Sequence, residues 1–252
     1  MKFIFTSSYE NYQNTFEKLV LNFKKEGTLI GSDKRNAIKY FEVNGEKINV
    51  KSFKQPNFFN KIIYRYFRKS KARRSFEFAK MLQHNGFGTP EPMAYLENYD
   101  WIGLTTSYYF SRQLDDVFMF REAIFDVNFE NRELITKKYT QFFFNLHEKG
   151  IEFVDNTSGN TLIRKKATDY EFFLVDLNRM SFHQSMSVQL RISNLAKLTN
   201  DPSIIKIISE EYTRLWNDST KDFYTKLLFE SEKFQNRFQR RRDLKKKLLF
   251  RK

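Results

Sequence analysis

The sequence predicts an α+β protein with two lobes, namely an N-terminal antiparallel sheet with one helix and a mostly helical C-terminal lobe. Three observations support this fold class: a hairpin signal early in the chain, one strongly basic helical segment after it, and helical spacing of apolar residues in most of the second half. We therefore expect an N-terminal lobe over residues 1–110 and a C-terminal lobe over residues 111–252.

The N-terminal sheet is predicted first from "TLIGSDKRNAIKYFEVNGEKINVKSF", residues 28–53. Asn44-Gly45 lies between two β-rich runs, and both residues tolerate positive φ, so the pair predicts a two-residue hairpin turn. The preceding "GSDKRN" predicts a second turn. The stretch should form an antiparallel meander, and "PMAYLE" and "IGLTTSYYFS" should add two more strands.

The predicted N-terminal helix lies between these strands, in the basic segment "NKIIYRYFRKSKARRSFEFAKMLQHNG". Its apolar residues recur at helical spacing, from Ala72 through Phe76 to Ala79. Either Ser70 or Ser75 could be the N-cap, and Gly86 follows the last turn. The segment therefore predicts an amphipathic helix.

The C-terminal lobe should begin with a helix over residues 131–149, since Gly150 suits a left-handed cap. A polar loop follows, then a strand "NTLI", a turn "RKKATD" and a strand "YEFFLVD" that ends at Asp176. The remaining residues show helical spacing. The two strands should pair as a hairpin, which would bring Asn160 and Asp176 to one edge.

Composition restricts the class of protein. The chain has 252 residues, a hydrophobic fraction of 40% and a net charge of +14, so a folded protein with an anionic partner is expected. That partner could be nucleic acid, a phosphorylated ligand or an acidic lipid surface. The absence of cysteine excludes disulfides and thiolate metal sites. No apolar run is long enough for a signal peptide or a membrane span, so we expect a cytoplasmic protein.

The loop "DNTSGN", residues 155–160, is the first candidate for chemistry. It matches the D-x-x-x-x-N spacing of the kinase catalytic loop, in which the Asp accepts a hydroxyl proton and the Asn holds Mg²⁺. Asn160 and Asp176 together would offer magnesium two oxygen-bearing side chains. The alternative is that small polar residues simply form a turn.

The order of elements strengthens the kinase interpretation. Lys51 lies on the third strand of the meander, where the kinase template has the lysine that holds the nucleotide phosphates. Glu77 lies on the following helix, where the template has the partner of that lysine. Arg73 precedes Glu77 by four residues, however, and could pair with it on the helix surface instead.

Four blocks of the sequence resemble one known family. "VKSFK", "KARRSFEFAKMLQHNGFGTPEP", "LHEKGIEFVDNTSGNTLI" and "FLVDLNRMSF" look like the lipopolysaccharide core kinases, the Kdo and heptose kinase group. The resemblance implies a protein-kinase-like fold, ATP with Mg²⁺, and phosphorylation of an inner-core sugar at the cytoplasmic face of the inner membrane in a Gram-negative bacterium. It further implies that Lys51 binds phosphates, Glu77 anchors Lys51, Asp155 is the base, and Asn160 and Asp176 hold the metal.

The chain also departs from the kinase template. Phe153 stands where the template has histidine, and Leu177 and Asn178 follow the metal-binding Asp. No G-x-G-x-x-G occurs, so Gly31 with the polar residues after it, Ser32, Lys34, Arg35 and Asn36, is the only candidate cover for the phosphates. His84, His147 and His183 show no ligand spacing, and we expect His147 to pack at a helix end, where positive charge suits the dipole.

Two basic segments suggest partners. Residues 237–252, "RFQRRRDLKKKLLFRK", carry nine Lys or Arg against one Asp and predict a basic amphipathic helix that lies on an anionic membrane. The cluster between Lys61 and Arg74 could receive the phosphates or carboxylates of a lipid-linked acidic sugar. Each segment could instead be a solvated helix face.

Three functions remain open from the sequence. The first is an ATP-dependent kinase of a lipopolysaccharide core sugar, and the second is a small-molecule or protein kinase of the same fold. The third is a pseudokinase or basic binding module, although no nucleic-acid-binding motif is present, and nucleic acid is therefore an unlikely partner. The sequence does not indicate an oligomeric state.

Overall fold

The computed structural model describes residues 1–31, 36–216 and 222–249. The chain divides into two compact units: an N-terminal unit of residues 1–115 with 175–179, and a C-terminal unit of residues 116–174 with 180–252. Each unit is described by itself below. The lobe boundary expected after residue 110 stays a prediction.

The N-terminal unit is built on a six-stranded antiparallel sheet. Its strands are β1 (Lys2–Phe5), β2 (Thr28–Leu29), β3 (Ala37–Val43), β4 (Glu46–Phe53), β5 (Pro92–Tyr99) and β6 (Leu104–Arg112). They lie in the order β1-β5-β6-β4-β3-β2. The predicted meander and the two later strands are thus present. The sequence analysis does not predict β1, whose partner β5 lies far along the chain, with Lys2 opposite Glu97.

Three helices accompany this sheet: α1 (Gln13–Asn22), α2 (Phe58–Tyr66) and α3 (Lys71–His84). The predicted helix is α3, and Ser70 is its N-cap, because the Ser70 hydroxyl accepts a hydrogen bond from the Arg73 amide at 3.0 Å. Neither α1 nor α2 is predicted as a separate helix. Helices α1 and α2 are therefore present in addition to the one helix that the sequence predicts for this lobe.

Strand β4 separates two apolar clusters, because successive side chains of a strand point to opposite faces. Ile48 and Val50 lie in one cluster with Phe16 of α1. Phe53 lies in the other, with Phe76 of α3. Lys51 has the same parity as Phe53 and therefore lies on the α3 side of the sheet.

The C-terminal unit contains short strands and most of the helices. The strands are β7 (Phe118–Met119), β8 (Ile151–Phe153), β9 (Thr161–Lys165), β10 (Tyr170–Leu174) and β11 (Met180–Phe182). The helices are α4 (Phe120–Phe125), α5 (Arg132–Glu148), α6 (Val188–Leu195), α7 (Pro202–Trp216) and α8 (Phe223–Leu249). The predicted hairpin is confirmed, since β9 pairs with β10 and Thr161 lies opposite Leu174.

The core of the C-terminal unit forms around α5. Tyr139 and Phe143 of α5 are buried, and the Tyr139 ring stacks on Phe120 with 3.8 Å between ring centroids. Helix α7 packs on α5 through buried residues such as Ile208 and Tyr212. In the described part of the chain, no helix combines the length and the apolar character that a membrane span requires.

Candidate active site

Lys51 and Asp176 are brought together although 125 residues separate them. The Lys51 Nζ donates to the Asp176 Oδ1 at 2.5 Å, and only 8% of Lys51 is exposed. The Lys51 ammonium also lies 5.4 Å from the centroid of the Phe53 ring. The Lys51 side chain is thus desolvated and points along the α3 side of the sheet.

The Asp176 carboxylate is held in its ionised form. Burial raises the pKa of this carboxyl, but the Lys51 ammonium, the Asn178 amide and the charge of Lys71 favour the anion and hold the pKa below its ordinary value. The Asn178 amide donates to Oδ1 at 2.6 Å. Both of these hydrogen bonds end on Oδ1.

The backbone at Asp176 aims the side chain. Asp176 has φ of 59°, a left-handed conformation that a residue other than glycine adopts at a cost. The conformation follows directly after β10, where the chain passes from the C-terminal unit to residues 175–179 of the N-terminal unit. The turn, and not the strand, therefore sets where the carboxylate points.

Glu77 does not pair with Lys51, and that expectation is wrong. Its two carboxylate oxygens accept from Lys69 at 2.8 Å and from Arg73 at 2.9 Å. Arg73 lies one turn earlier on α3, so the local partner needs no long-range approach. Burial raises the pKa of the Glu77 carboxyl, but these two cations outweigh it and leave the pKa lowered. The partner of Lys51 is Asp176.

Asp155 and Asn160 share one loop of the C-terminal unit, between β8 and β9. The Asp155 carbonyl accepts from the Thr157 amide at 2.7 Å and from the Asn160 side-chain Nδ2 at 2.9 Å. Because the Asn160 Nδ2 donates to the Asp155 carbonyl, the Asn160 Oδ1 points away from that carbonyl oxygen. The Asn160 side chain is therefore tied to the Asp155 backbone.

A buried network of neutral polar side chains supports this loop. Asn156 accepts from the Tyr139 hydroxyl at 2.7 Å, and its amide nitrogen donates to the carbonyl of Asn194 at 3.2 Å. Asn194 in turn donates to the carbonyl of Phe153 at 2.8 Å. Sequence reasoning missed these residues, because an Asn in a polar loop and an Asn in a helix carry no signal that joins them.

His147 belongs to the same network and is uncharged. Its Nδ1 lies 2.9 Å from the Tyr212 hydroxyl and its Nε2 lies 3.2 Å from the Asn194 Oδ1. Burial lowers the pKa of His147 to about 3. The expected packing at the end of α5 is present, but the expected positive charge is wrong, since the buried imidazole stays neutral.

Phe153, which stands where the kinase template has histidine, is fully buried. Its side chain fills the core, and its carbonyl accepts the bond from Asn194. The loop is therefore anchored here through the backbone of residue 153. This arrangement explains how the loop keeps its geometry without a histidine at that position.

Gly31 is described, but most of the candidate phosphate cover is not. Gly31 has φ of 72°, and a Cβ added there would meet nothing within 4 Å. Ser32, Lys34 and Arg35 lie outside the described residues. Asn36 accepts from the Lys54 amide at 3.2 Å through its side chain.

The oxygen set fits magnesium better than zinc or calcium. In the described ranges, no group of three or more His, Cys, Asp or Glu could hold a metal ion. Magnesium needs fewer protein ligands, because phosphates and waters complete its shell. The ionised Asp176 carboxylate is an oxygen ligand of the kind that magnesium prefers.

The basic C-terminal segment is helical where it is described. Helix α8 extends to Leu249, and Phe238 and Leu244 are exposed on it. The predicted apolar stripe continues through Leu248 and Leu249, whose side chains are not among those described, and Phe250, which lies outside the described residues.

Comparison with known proteins gives structural matches only. No protein-family model and no curated protein sequence matches the chain. The structure of WaaP in complex with acyl carrier protein matches with a TM-score of 0.63 and 15% identity, covering 92% of this chain and 99% of that one. A MAP kinase from Leishmania major matches with a TM-score of 0.45 and 13% identity, covering 86% of this chain and 64% of that one.

At these identities the likeness concerns the fold. The agreement with WaaP extends over nearly the whole of both chains. The predicted resemblance and the predicted fold class are confirmed at this level. The chain has a two-lobed α+β fold that it shares with WaaP.

Proposed function

We propose that the protein is an ATP-dependent kinase that phosphorylates a hydroxyl of a Kdo or heptose in the lipopolysaccharide inner core. The observation that carries the proposal is the contact of the desolvated Lys51 with the ionised Asp176, in a kinase-like fold. Isolated ammonium and carboxylate groups are not buried without a use or a partner. In a phosphotransferase the Lys51 ammonium would bind phosphate oxygens and the Asp176 carboxylate would bind the metal ion.

The nucleotide side of the proposed site is Lys51 with Gly31. Lys51 would bind the α- and β-phosphates and exchange its carboxylate partner for phosphate oxygens. Gly31 would let the backbone approach the phosphates, since the space around its Cα is open. We assign no phosphate role to Glu77, because Lys69 and Arg73 hold both of its oxygens.

The acceptor side is the loop that carries Asp155. The sugar hydroxyl oxygen would attack the γ-phosphorus, the bond to the β-phosphate oxygen would break, and ADP would leave. Asp155 would orient the hydroxyl and accept its proton. Asp176 and Asn160 would hold Mg²⁺, which supplies positive charge to the phosphates when bound. The buried network below the loop would keep Asp155 in place during these steps.

The acceptor would be presented at a membrane. The charge of +14 suits a lipid-linked acidic sugar, and the exposed basic surface of α8 suits anionic lipid headgroups. We therefore propose a cytoplasmic protein that associates peripherally with the inner membrane of a Gram-negative bacterium. The complex of WaaP with an acyl carrier protein makes such a carrier a second partner to test.

The test is transfer of label from γ-labelled ATP to extracted lipopolysaccharide or its lipid A precursor. Wild type should label the acceptor, and Asp155→Asn should reduce the rate by about 10²–10⁴-fold, the usual contribution of a general base. Asp169→Asn is the matched control, because Asp169 lies in an exposed turn of the same unit. Equal labelling by wild type and Asp155→Asn would contradict the role of Asp155.

A catalytically impaired protein of the same fold is the second candidate. The observations that favour it are the Phe at position 153 and the missing G-x-G-x-x-G motif. The two candidates differ in the labelling experiment. Binding of ATP without transfer to lipopolysaccharide, small sugars or protein would favour the impaired protein, and binding of oligonucleotides without ATP would favour a nucleic-acid module.

A further inference from the structure

Helix α2 presents its apolar side to solvent. Phe59, Ile63 and Tyr66 recur at helical spacing, and all three are exposed, as are Phe58 and the C-cap residue Phe67. No residue of α2 is buried. Phe59 is 74% exposed and Phe67 is 82% exposed. A surface helix of a folded protein ordinarily turns such a stripe toward its core.

The polar side of α2 fastens it to the N-terminal unit. Lys61 Nζ donates to the Asp100 carboxylate at 2.7 Å, and the Arg65 guanidinium donates to the carbonyls of Asp100 and Trp101 at 2.7 and 3.2 Å. The backbone of Gly103 approaches so closely that an added Cβ would meet the Lys61 carbonyl. The outward apolar face is therefore a fixed feature, set by specific bonds on the opposite side.

The loop under α2 adds another exposed aromatic ring. Trp101 is 87% exposed, and its carbonyl is one of the acceptors of Arg65. The Asp100 carboxylate orders this loop by accepting from the Ile102 and Gly103 amides at 2.9 and 2.8 Å. An ordered loop on the Lys61 and Arg65 side of α2 thus carries an exposed tryptophan ring.

The segment that contains α2 is rich in cations, of which Lys61, Lys69 and Arg73 pair with carboxylates outside it. Residues 54–76 contain eight Lys or Arg and no Asp or Glu. Beside α2 lies a cleft of about 500 Å³, whose lining includes Lys54, Asn57, Asn60, Tyr64 and Lys71. These groups can donate hydrogen bonds to phosphate oxygens, so an anion of headgroup size finds charge and donors next to the apolar face.

We infer that the exposed face of α2 inserts into the interface of an anionic lipid bilayer. Aromatic rings on one face of a helix, with cations in the same segment, are the pattern of helices that lie in a membrane interface. A basic protein groove would be repelled by the net positive charge of this segment, and a neutral one would not be attracted by it. In an anionic bilayer, Phe59 and Phe67 would lie among the apolar acyl chains. Lys54 and Lys71 would contact the lipid phosphates at the same time.

This inference does not depend on phosphotransfer, and it differs from the basic surface of α8. Membrane binding by α8 rests on charge, whereas binding by α2 rests on insertion of side chains. The two contributions can therefore be separated by variants. Catalysis can fail while vesicle binding persists, and the reverse holds as well.

The first test is co-sedimentation of the full chain with zwitterionic phosphatidylcholine vesicles and with vesicles that also contain phosphatidylglycerol. Binding is expected to the anionic vesicles, and Phe59→Ser with Phe67→Ser should weaken it by about 10- to 30-fold, since two exposed rings lose their apolar burial. Phe125→Ser with Val127→Ser is the matched control, because it removes similarly exposed apolar groups elsewhere. Unchanged binding by the α2 variant would overturn the inference.

The second test uses the ring introduced by Phe59→Trp as a reporter of depth. The chain has two tryptophans, so Trp101→Phe with Trp216→Phe leaves the introduced ring as the single reporter. Its emission should shift to the blue on anionic vesicles and be quenched by lipids brominated in the acyl chain. Arg240→Gln, Arg241→Gln and Arg242→Gln together should weaken binding but leave the shift at saturating lipid. No shift, or a dimer in solution that Phe59→Ser with Phe67→Ser dissociates, would contradict insertion.

Discussion

The candidate residues of the two units are held in different ways. In the N-terminal unit, Lys51 and Asp176 meet through one charged contact from distant parts of the chain. In the C-terminal unit, the loop of Asp155 rests on neutral hydrogen bonds through Asn156 and Asn194. A charged pair exchanges partners when an anion or cation arrives, whereas a buried neutral network keeps its geometry. The difference suits a half that binds ligands and a half that positions a base.

The largest effect is expected from removal of the ammonium at Lys51. Lys51→Met should lower kcat/KM for ATP by about 10²–10³-fold, because one preorganised cation at the phosphates is lost. Lys47→Met is the control, since Lys47 lies on the same strand and pairs with the exposed Asp115. Steady-state kinetics measures both. A Lys51→Met enzyme with wild-type kinetics would remove Lys51 from the site.

The next largest effect is expected on the free energy of unfolding, at the glycines that follow the last turns of α3 and α5. Gly86 and Gly150 have φ of 79° and 67°, but a Cβ would meet nothing at Gly86 and the His183 carbonyl oxygen at Gly150. Gly86→Ala should cost about 1–2 kcal/mol of unfolding free energy from the left-handed backbone alone. Gly150→Ala should cost about 3 kcal/mol or more, because β8 and β11 must also move apart.

Denaturant unfolding of the two glycine variants measures this difference. Equal costs at the two positions would show that the approach of His183 to Gly150 is not rigid. The loop of Asp155 follows β8 directly, so Gly150→Ala should also lower activity in conditions where the variant remains folded.

The buried network is tested at Asn194. Asn194→Leu removes the buried side-chain bonds to the Phe153 carbonyl, the Asn156 amide and His147 Nε2, so it should destabilise the chain by about 2–3 kcal/mol. Asn85→Leu is the matched control, because the Asn85 amide bonds an exposed helix carbonyl. Thermal melting compares them. A cost at Asn194 no larger than at Asn85 would contradict the network as the support of the loop.

The smallest effect concerns pH. Burial lowers the pKa of His147 to about 3 in the folded chain, while the unfolded chain titrates near 6.5. The unfolded state therefore gains a proton first as pH falls, and stability present above pH 6.5 declines by about 1.4 kcal/mol per unit below it. Melting between pH 7 and pH 5 should show this decline in wild type and in His84→Gln. A decline of the same size in His147→Gln would exclude His147 as its source.

The parts of the fold that follow local signals could be predicted from the sequence. Asn44-Gly45 fixes the β3–β4 hairpin, and the apolar run before Asp176 gives β10 and its pairing with β9. Lys51 therefore falls on a strand and Asp176 at a strand end. Their contact is not local, and the sequence analysis predicts Glu77 and not Asp176 as the partner of Lys51.

Contacts that depend on competition between possible partners, or on residues far apart in the sequence, could not be predicted. Glu77 has Lys69 and Arg73 beside it, and proximity favours these over Lys51. Asn194 lies 38 residues after Asn156, with nothing in either segment to join them. The apolar stripe of α2 has the spacing of a core face, and only the bonds of Lys61 and Arg65 show that it points outward.

Calorimetric titration of ATP, with and without Mg²⁺, into wild type and Asp176→Asn tests the central claim most directly. The amide keeps the shape of the carboxylate but removes the charge that would hold the metal. We expect wild type to bind ATP more tightly with Mg²⁺ and Asp176→Asn to lose that gain by about 10-fold or more. The same magnesium-dependent affinity in both proteins would contradict a metal-nucleotide site at Asp176.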